Sequence, residues 1–368
     1  MENTPYFKFK PDVLKENYLE FERLCKRYLD DFVIAYSVKT NGFDEVLEVL
    51  SKLGSNFEVA SLNEIEKALD FSKKAFIFNG ACKNEKELRL AIESKFLINI
   101  DSKSEIDKIA EILNGRGFNI GLRVSLNKSK FGFDEDKLYE IISYCKIKSL
   151  NVISLHFHAG TQKNLKEYEE SLRKIKEIVR KVSDSVDLKY LDLGGGFPDK
   201  YQLKNLSISL EDYFKLIEKY TREFDSTIII EPGRNLVADA FDLITKVCVL
   251  KEKSGQNFAI LDVGINVLSK ITLANYKFSK IDISNLDYDK DSGAGKLEGN
   301  SSSLSLLNTK KERKEYILVG PLLFNNDVLG KYSESLKEGD LIKIENVGAY
   351  CYNLAWTISY DKPRVVVE

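Results

Sequence analysis

The chain has 368 residues and is 43% hydrophobic, enough apolar material for two domains or for one large barrel with an addition. Its 55 basic and 57 acidic side chains leave a formal charge of −2, so neither nucleic acid nor a membrane is expected as a partner. The five cysteines are scattered without a CxxC pair, which argues against a disulfide framework and a zinc site. Without a signal-peptide pattern or a long uncharged apolar run, we expect a soluble cytoplasmic protein.

The first two thirds of the chain alternate between two patterns. After a short alternating run at residues 6–9 and a predicted helix at 11–24, apolar β-favouring segments alternate with charged segments of helical period. The predicted strands are residues 32–38, 55–60, 75–79, 96–100, 119–126, 150–157, 188–193 and 227–231. The helices predicted between them include residues 63–71, 84–94, 104–113, 135–145, 165–182 and 210–224. Eight such units within about 210 residues predict an α/β fold, a closed parallel (β/α)8 TIM barrel.

The region after residue 240 lacks the helical pattern. Its apolar and polar side chains alternate with the period of two that half-buried strands have. Strands are predicted there at residues 241–250, 258–263, 316–319 and 341–344, and residues 287–305 are interpreted as a polar loop. We therefore expect a barrel domain over residues 25–240 and a second, all-β domain over residues 241–368. Segment 1–24 is expected to lead a strand into the second domain.

A doubly wound open sheet is the competing architecture. It should carry a GxGxxG turn after its first strand, whereas this chain has the sequence Lys39–Gly42 there. A parallel barrel places its active site at the carboxyl ends of the strands. Polar and glycine residues do follow the predicted strands, at Lys39, Glu58, Asn79, Asp101, Arg123, His158, Gly194–Gly196 and Glu231–Arg234.

Lys39 ends the first predicted strand. A lysine that is desolvated at a buried strand end loses its charge more easily, and its neutral amine can then attack a carbonyl group. The alternative is that Lys39 only marks where the strand meets water, as most strand-terminal lysines do. The other polar and glycine residues at the ends of the predicted strands, which together form the rim of the barrel, favour the first interpretation.

The seventh and eighth strands are followed by residues suited to bind phosphate. Glycines at Gly194–Gly196 leave backbone amides unobstructed, and barrels often bind phosphate at these two loops. Gly233 and Arg234 would extend such a site. The alternatives are a tight turn for the glycines and a structural ion pair for Arg234. Glu231 is a carboxylate at the barrel mouth that needs a partner, and an ion pair would also satisfy it.

The only two histidines, His156 and His158, lie two residues apart on one predicted strand, so their side chains should share a face. No further ligand pattern accompanies them, and no metal is expected. A flat imidazole lying over an aromatic cofactor is a better interpretation, with a hydrogen-bonded core histidine as the alternative. A lysine for an aldehyde, glycines for a phosphate, a carboxylate for a ring nitrogen and a flat side chain for the ring together indicate pyridoxal 5'-phosphate.

These residues resemble the barrel-type (fold type III) pyridoxal-phosphate family of ornithine, diaminopimelate and related basic-amino-acid decarboxylases. The matching motifs span nearly the whole chain: YSVKTN with Lys39, EVAS with Glu58, SKFG at Ser129–Gly132, HFHAGTQ at His156–Gln162, LDLGGGFP at Leu191–Pro198, EPGR at Glu231–Arg234 and GAY at Gly348–Tyr350. The resemblance implies a barrel joined to a β-domain and a head-to-tail homodimer with shared active sites. It also implies a small-molecule amino-acid substrate.

The same resemblance implies a role for each matching residue. Lys39 would bond to the aldehyde of the cofactor, His158 would stack on its ring, and Glu231 would pair with the protonated ring nitrogen. The phosphate would be held by Thr161, Gly195, Gly196, Gly233, Arg234 and Tyr350. Alanine racemases resemble this barrel but generally place an arginine at the ring nitrogen, so Glu231 favours decarboxylation over racemisation.

The chain departs from the family at one turn of the second domain. The family usually has a GPxCxxxD pattern whose cysteine reaches the partner's site and protonates the reacting carbon. Here Leu323 replaces that cysteine, Phe324 replaces the neighbouring glutamate of diaminopimelate enzymes, and Asp327 is retained. These three residues are expected near the substrate, and Cys351 is the nearest other thiol in sequence.

The leading hypothesis is a pyridoxal-phosphate-dependent decarboxylase of an amino acid or an amino-acid conjugate, in polyamine, lysine or other specialised biosynthesis. A pyridoxal-phosphate-dependent racemase is one alternative. A catalytically weakened homologue that binds a partner protein is another, although such homologues tend to lose the cofactor residues that this chain keeps.

Overall fold

The computed structural model describes residues 3–72, 76–126, 129–269, 274, 276–282 and 314–368. The strands are β1 (Tyr6–Phe9), β2 (Phe32–Ser37), β3 (Asn56–Val59), β4 (Phe76–Phe78), β5 (Leu97–Ile100), β6 (Phe118–Arg123), β7 (Leu150–His156), β8 (Tyr190–Asp192), β9 (Thr227–Ile230), β10 (Phe241–Lys253), β11 (Gln256–Leu261), β12 (Lys277–Lys280), β13 (Tyr316–Val319), β14 (Val328–Tyr332), β15 (Leu341–Glu345) and β16 (Arg364–Val367). The helices are α1 (Pro11–Tyr28), α2 (Asp44–Lys52), α3 (Leu62–Phe71), α4 (Glu85–Glu93), α5 (Lys103–Leu113), α6 (Leu138–Ile147), α7 (Leu165–Val182), α8 (Lys200–Leu206), α9 (Leu210–Thr221) and α10 (Arg234–Val237).

The described residues divide into two units. The barrel unit comprises Phe9–Phe241, Asn346–Leu354 and Val367–Glu368, and the β-unit comprises Met1–Lys8, Asp242–Glu345 and Ala355–Val366. This division differs from the expected one, because α1 belongs to the barrel unit and only the residues before Phe9 join the β-unit. A short segment near the carboxyl terminus, Asn346–Leu354, also belongs to the barrel unit. Its backbone forms hydrogen bonds with residues of that unit, for example from the Tyr350 amide to the Thr40 carbonyl.

The barrel prediction is confirmed. Strands β2 to β9 form a closed barrel in sequential order, and each pairs in parallel with its neighbours. Their apolar residues are buried on both faces, because the helices cover one side of the barrel wall and side chains fill the other. The ends of all eight strands lie within three residues of the predicted positions.

The helices begin where the sequence supplies caps. Asn84, Asn164 and Ser209 each accept a hydrogen bond from the backbone three residues on, and each has an acidic residue there that completes a capping box. Helices α2 and α8, which the periodic pattern did not indicate, complete the connections after β2 and β8.

The β-unit is a sheet in the order β12-β15-β10-β11-β13-β14, and β1 pairs with β10 and β16. The four strands predicted in this region are confirmed, while β12, β14 and β16 were not predicted. The expected polar loop at residues 287–305 lies outside the described residues. Among the helices of the described residues, none is both long enough and apolar enough to cross a lipid bilayer.

Candidate active site

The loops after β2, β7, β8 and β9 meet at the carboxyl end of the barrel, and glycines allow the close approach. Gly194 and Gly196 have φ angles of +65° and +102°, a conformation that residues with side chains rarely adopt. A side chain on Gly195 would collide with the carbonyl oxygen of Glu231, and one on Gly196 with that of Gly160. A side chain on Gly233 would collide with the Thr40 hydroxyl. At these glycines the rim of the barrel consists of backbone without side chains, which we call bare backbone.

Lys39 lies in a short 3-10 turn after β2 rather than in the strand itself. Its ammonium group donates a hydrogen bond to Glu58, which is fully buried, while the lysine side chain is 41% exposed. Burial lowers the pKa of Lys39, but the charge of Glu58 and the hydrogen bond to it oppose this and hold that pKa above its ordinary value. The expectation of a neutral, desolvated amine is therefore wrong for the cofactor-free chain, because a paired carboxylate stabilises the ammonium.

Of the two histidines, His156 is the last residue of β7 and is buried. His158 follows the strand and its imidazole is accessible to solvent. Desolvation by the surrounding protein, together with the charges of Lys39 and Arg123, lowers the pKa of His158 to about 4. Its ring is therefore neutral at pH 7. A neutral, accessible aromatic ring beside Lys39 can stack on a flat ligand.

The SKFG motif holds Arg123, the last residue of β6. The guanidinium lies 4.4 Å from the ring centre of Phe131, and its Nε is 3.6 Å from the carboxylate of Asp101. The same carboxylate accepts a hydrogen bond of 3.1 Å from the Gly132 amide. The motif therefore fixes a cation at the rim through a cation–π contact and an ion pair.

Glu231 is 3% exposed and does not pair with a rim cation. Its Oε1 accepts a 2.5 Å hydrogen bond from the side-chain amide of Asn79, and its Oε2 lies 3.8 Å from Nε2 of His156. Burial raises the pKa of Glu231 well above its ordinary value, and the charges of Asp192 and Glu58 raise it further. The expected ion pair is replaced by a neutral amide, so this carboxyl group tends to keep a proton.

Asn99 and Asp192 extend the hydrogen bonding behind Glu231. The Asn99 amide nitrogen donates to Asn79 Oδ1 at 2.7 Å and to Asp192 Oδ2 at 3.0 Å. The Gly194 amide donates to Asp192 Oδ1 at 2.9 Å. All these side chains come from the ends of barrel strands and form one buried polar network.

Arg234 is buried at the start of α10 and has donors to spare. Its Nε and Nη1 have no hydrogen-bond partner among the described residues, and Asp199 Oδ2 is 4.0 Å from Nη1. The guanidinium lies 5.4 Å from the ring centre of Tyr350, whose hydroxyl is 3.5 Å from that of Thr40. Thr161 is exposed in the loop after β7. Buried donors without acceptors indicate a place for an anion.

The three residues expected near the substrate lie in the β-unit. Asp327 is buried, and its carboxylate accepts hydrogen bonds of 2.8 Å from the amides of Ile265 and Leu322. This position makes it the residue that shapes the turn. Leu323 is fully exposed and Phe324 is 46% exposed. Cys351, in the barrel unit, is fully buried.

The sequence reasoning gave no role to Asn79, Asn99 and Asp192. Asn79 ends a predicted strand, and Asn99 and Asp192 lie within two others, but only the register of the barrel shows that their side chains bond to one another and to Glu231. The signal that could have found them is the presence of amides and a carboxylate at ends of apolar strands, where buried polar groups must find partners.

Residues 19–238 match the family model described as "Pyridoxal-dependent decarboxylase, pyridoxal binding domain". The chain belongs to the pyridoxal-dependent decarboxylases. It is therefore a carboxy-lyase that acts on an amino acid, which confirms the resemblance read from the motifs.

Relatives of this decarboxylase cover nearly its whole length. The diaminopimelate decarboxylase of Aquifex aeolicus (strain VF5) is 28% identical over 380 aligned residues, which cover 96% of this chain and 83% of the relative. The crystal structure of diaminopimelate decarboxylase from Helicobacter pylori complexed with L-lysine has a TM-score of 0.84 at 26% identity, covering 100% of this chain and 91% of that one. A lysine/ornithine decarboxylase from Vibrio vulnificus, complexed with cadaverine, shares the fold at 23% identity and a TM-score of 0.81, covering 99% and 94%.

The rim fits the cofactor on which this family depends. The bare backbone at Gly195, Gly196 and Gly233 and the unused donors of Arg234 suit a phosphate group. A primary amine at Lys39 suits an aldehyde, and the buried carboxyl group of Glu231 suits a ring nitrogen.

Proposed function

We propose that this chain uses pyridoxal phosphate, held at the carboxyl end of its own barrel, to decarboxylate an amino acid or an amino-acid conjugate. The observation that carries the proposal is that two carboxyl groups at the rim, Glu58 and Glu231, have partners of different kinds. Glu58 pairs with the ammonium of Lys39, while Glu231 has only neutral hydrogen-bond donors and retains a proton. One lysine for the carbonyl chemistry and one acid for a ring nitrogen are thereby supplied by different parts of one site.

The phosphate would lie at the bare backbone of the loops after β8 and β9. Gly195, Gly196 and Gly233 offer backbone without side chains, and Arg234 offers a buried charge with unused donors. Thr161 and Tyr350 would complete the set through their hydroxyl groups. A guanidinium also presents its donors in a planar fork that matches the oxygens of a phosphate group.

When bound, the cofactor supplies a protonated aromatic ring that can accept the electron pair left on the substrate when CO₂ departs. Glu231 would supply its proton to the ring nitrogen and, as the carboxylate, would hold it there, with the Asn79 amide donating to the same carboxylate. Lys39 must lose a proton before its amine can attack a carbonyl, and Glu58, already hydrogen-bonded to Nζ, is placed to accept it. His158 would cover one face of the ring and exclude water from it.

The substrate is proposed from the turn that contains Leu323, Phe324 and Asp327. The first two side chains are apolar and exposed, and the carboxylate of Asp327 is already occupied by two backbone amides. This turn lacks the free charged groups that would bind the far amino and carboxylate groups of diaminopimelate. We therefore propose an amino acid or conjugate with a less polar far end, and diaminopimelate, lysine and ornithine are the candidates to test beside it.

A homodimer with shared active sites is part of the proposal. Exposed apolar side chains of the β-unit, Leu323, Phe324, Trp356, Ile358 and Tyr360, are the kind of surface that a second copy covers. In such a dimer the turn at residues 320–327 of one copy would face the substrate in the other.

The test is CO₂ release from a panel of amino acids with the purified full chain and pyridoxal phosphate. The panel contains meso- and LL-diaminopimelate, lysine, ornithine, arginine and carboxylated conjugates of amines. Release from any member, lost in the variant Lys39→Ala, supports the decarboxylase, and the preferred member identifies the substrate class. A preference for diaminopimelate would contradict the proposed substrate but not the reaction.

Two other functions have distinct signatures. A racemase would change the optical rotation of an amino acid without releasing CO₂. A binding homologue would fail to take up pyridoxal phosphate, which is measured by the visible absorption of the cofactor on the protein. The retention of Lys39, Glu231 and Arg234 in one arrangement favours the enzyme over the binding homologue.

A further inference from the structure

The carboxyl groups of Asp192 and Glu231 form a close pair without a cation of their own. They are 0% and 3% exposed, and one ligating atom from each lies within 4.8 Å of the other and of a His156 nitrogen. Within the part of the chain that the structure describes, their hydrogen-bond donors are neutral: the Asn79 and Asn99 side chains and the Gly194 amide. Two uncompensated negative charges at this depth would be very unfavourable.

The cations facing the pair are committed to other acids. Lys39 pairs with Glu58, Arg123 with Asp101, and the fully buried Lys83 with Glu105. The two histidines nearby are uncharged, because burial lowers the pKa of His156 well below its ordinary value and that of His158 to about 4. A proton is therefore the remaining way to lower the charge of the pair.

We propose that Glu231 and Asp192 share one proton in the cofactor-free chain. Asn79 and Asn99 are the positioning residues that hold the two carboxyl groups for it. The shared proton is a property of the chain without cofactor and does not depend on the proposed function. Its use does: in the proposed function, this proton is already in place for a ring nitrogen.

The directions of the hydrogen bonds decide which oxygen carries the proton. Asn99 gives its amide nitrogen to both Asn79 Oδ1 and Asp192 Oδ2, so Asn79 must present its own nitrogen to Glu231 Oε1. This leaves Oε2 of Glu231 as the proton carrier. Burial raises the pKa of Asp192 to about 7, although hydrogen bonds from the Gly194 amide, Glu231 and Asn99 oppose that rise. Once Asp192 has ionised, near pH 7, Glu231 is thus the donor and Asp192 the acceptor of the one proton that remains.

The effect on stability has a defined sign. Asp192 has a pKa of about 7 in the folded chain and an ordinary value of 3.8. Between these values the folded chain keeps a proton that the unfolded chain has lost, so its contribution to the free energy of unfolding falls as the pH rises from 3.8 to about 7. The variant Asp192→Asn should show a smaller fall, because Glu231 alone then keeps a proton that the unfolded chain has lost. Urea denaturation of the cofactor-free chain at several pH values measures this difference.

Infrared spectroscopy tests the shared proton directly. The full chain, freed of cofactor, should show the carbonyl band of a buried carboxylic acid at neutral pH. The band should weaken in Glu231→Gln, because the buried Asp192 is then the only carboxyl group of the pair left to carry a proton. In Asp192→Asn it should disappear at lower pH than in the wild type, because the like charge is gone. In Asn79→Ala it should persist to higher pH, because the ionised form of Glu231 loses a donor.

The matched control is Asp340→Asn. Asp340 is also a buried aspartate, 4% exposed, but it pairs with Lys280 at 2.6 Å and lies in the β-unit, so its loss should leave the acid band unchanged. Circular dichroism confirms that each variant is folded. The variant Asn79→Gln keeps a side-chain amide, so the pH dependence of its acid band should be closer to that of the wild type than the band of Asn79→Ala is. A purely structural role of Asn79 would not predict this difference.

Three results would overturn the inference. One is the absence of an acid band in the folded wild-type chain at neutral pH. The second is a band with the same pH dependence in wild type, Asp192→Asn and Asn79→Ala, which means independent carboxyl groups. The third is a stoichiometric divalent cation in the purified chain, lost in Asp192→Asn, because a metal would then replace the proton. A normal acid band in a chain that releases no CO₂ would contradict the proposed function and leave this inference standing.

Discussion

The rim of the barrel and the turn at residues 320–327 depart from ordinary burial in opposite ways. The rim buries carboxyl groups, Glu58, Asp192 and Glu231, which proteins bury only when partners satisfy them. The turn exposes Leu323 completely and Phe324 by almost half, although apolar side chains of this size are usually covered. Each departure costs free energy, so each indicates a function that the fold alone does not need.

The comparison separates two parts of the proposed function. Lys39 and Glu231 find their hydrogen-bond partners, Glu58 and Asn79, within the barrel unit of a single chain, so the chemistry is expected to need only that unit. The exposed side chains of the turn remain uncovered in a single chain, so substrate recognition is expected to depend on a second copy. The following changes test each side of this comparison.

The largest effect is expected at Lys39. The variant Lys39→Arg keeps a cation beside Glu58, because arginine stays charged, but a guanidinium cannot replace a primary amine in carbonyl chemistry. We expect wild-type stability and CO₂ release reduced to background. Lys39→Ala should be equally inactive and also less stable, because the buried Glu58 loses its cation. An active Lys39→Arg variant would reduce Lys39 to an ion-pair residue.

The second largest effect is expected at Asp327, the buried residue in the inner part of the turn at residues 320–327. Asp327→Ala removes the acceptor for the Ile265 and Leu322 amides, and unsatisfied buried donors of this kind cost about 2–4 kcal/mol together. Urea denaturation should show this loss in the free energy of unfolding, with a smaller loss in Asp327→Asn, which keeps one carbonyl oxygen. Equal stability of Asp327→Ala and wild type would show that the carboxylate does not hold the turn.

The smallest effect on the folded chain is expected at the outer part of the turn. Leu323→Ser combined with Phe324→Ser should leave the unfolding free energy nearly unchanged, because neither side chain is buried, but should weaken dimerisation by about tenfold or more. Sedimentation over a range of concentrations measures this. Ile147→Ser, which changes an exposed apolar residue of the barrel unit, is the control and should have no effect. Unchanged dimerisation of the double variant would exclude this surface as the interface.

The contrast between Lys39 and Glu231 shows how far the sequence could be read. Both were predicted at the rim because the carboxyl ends of parallel strands meet at one end of a barrel. Their protonation states were not predictable from that placement. Lys39 keeps its proton because Glu58 from the next strand reaches it, and Glu231 keeps one because its neighbours are amides and another carboxyl group.

The sequence by itself determined the eight strands, the barrel, the β-unit strands with strong alternation, and the set of residues at the rim, because hydrophobic period and chain order are local properties. Only the tertiary structure decided which side chains meet. Asn79, Asn99, Asp192 and Glu231 are joined across four strands by the closure and register of the barrel. Such pairings depend on contacts between distant segments, which no local pattern encodes.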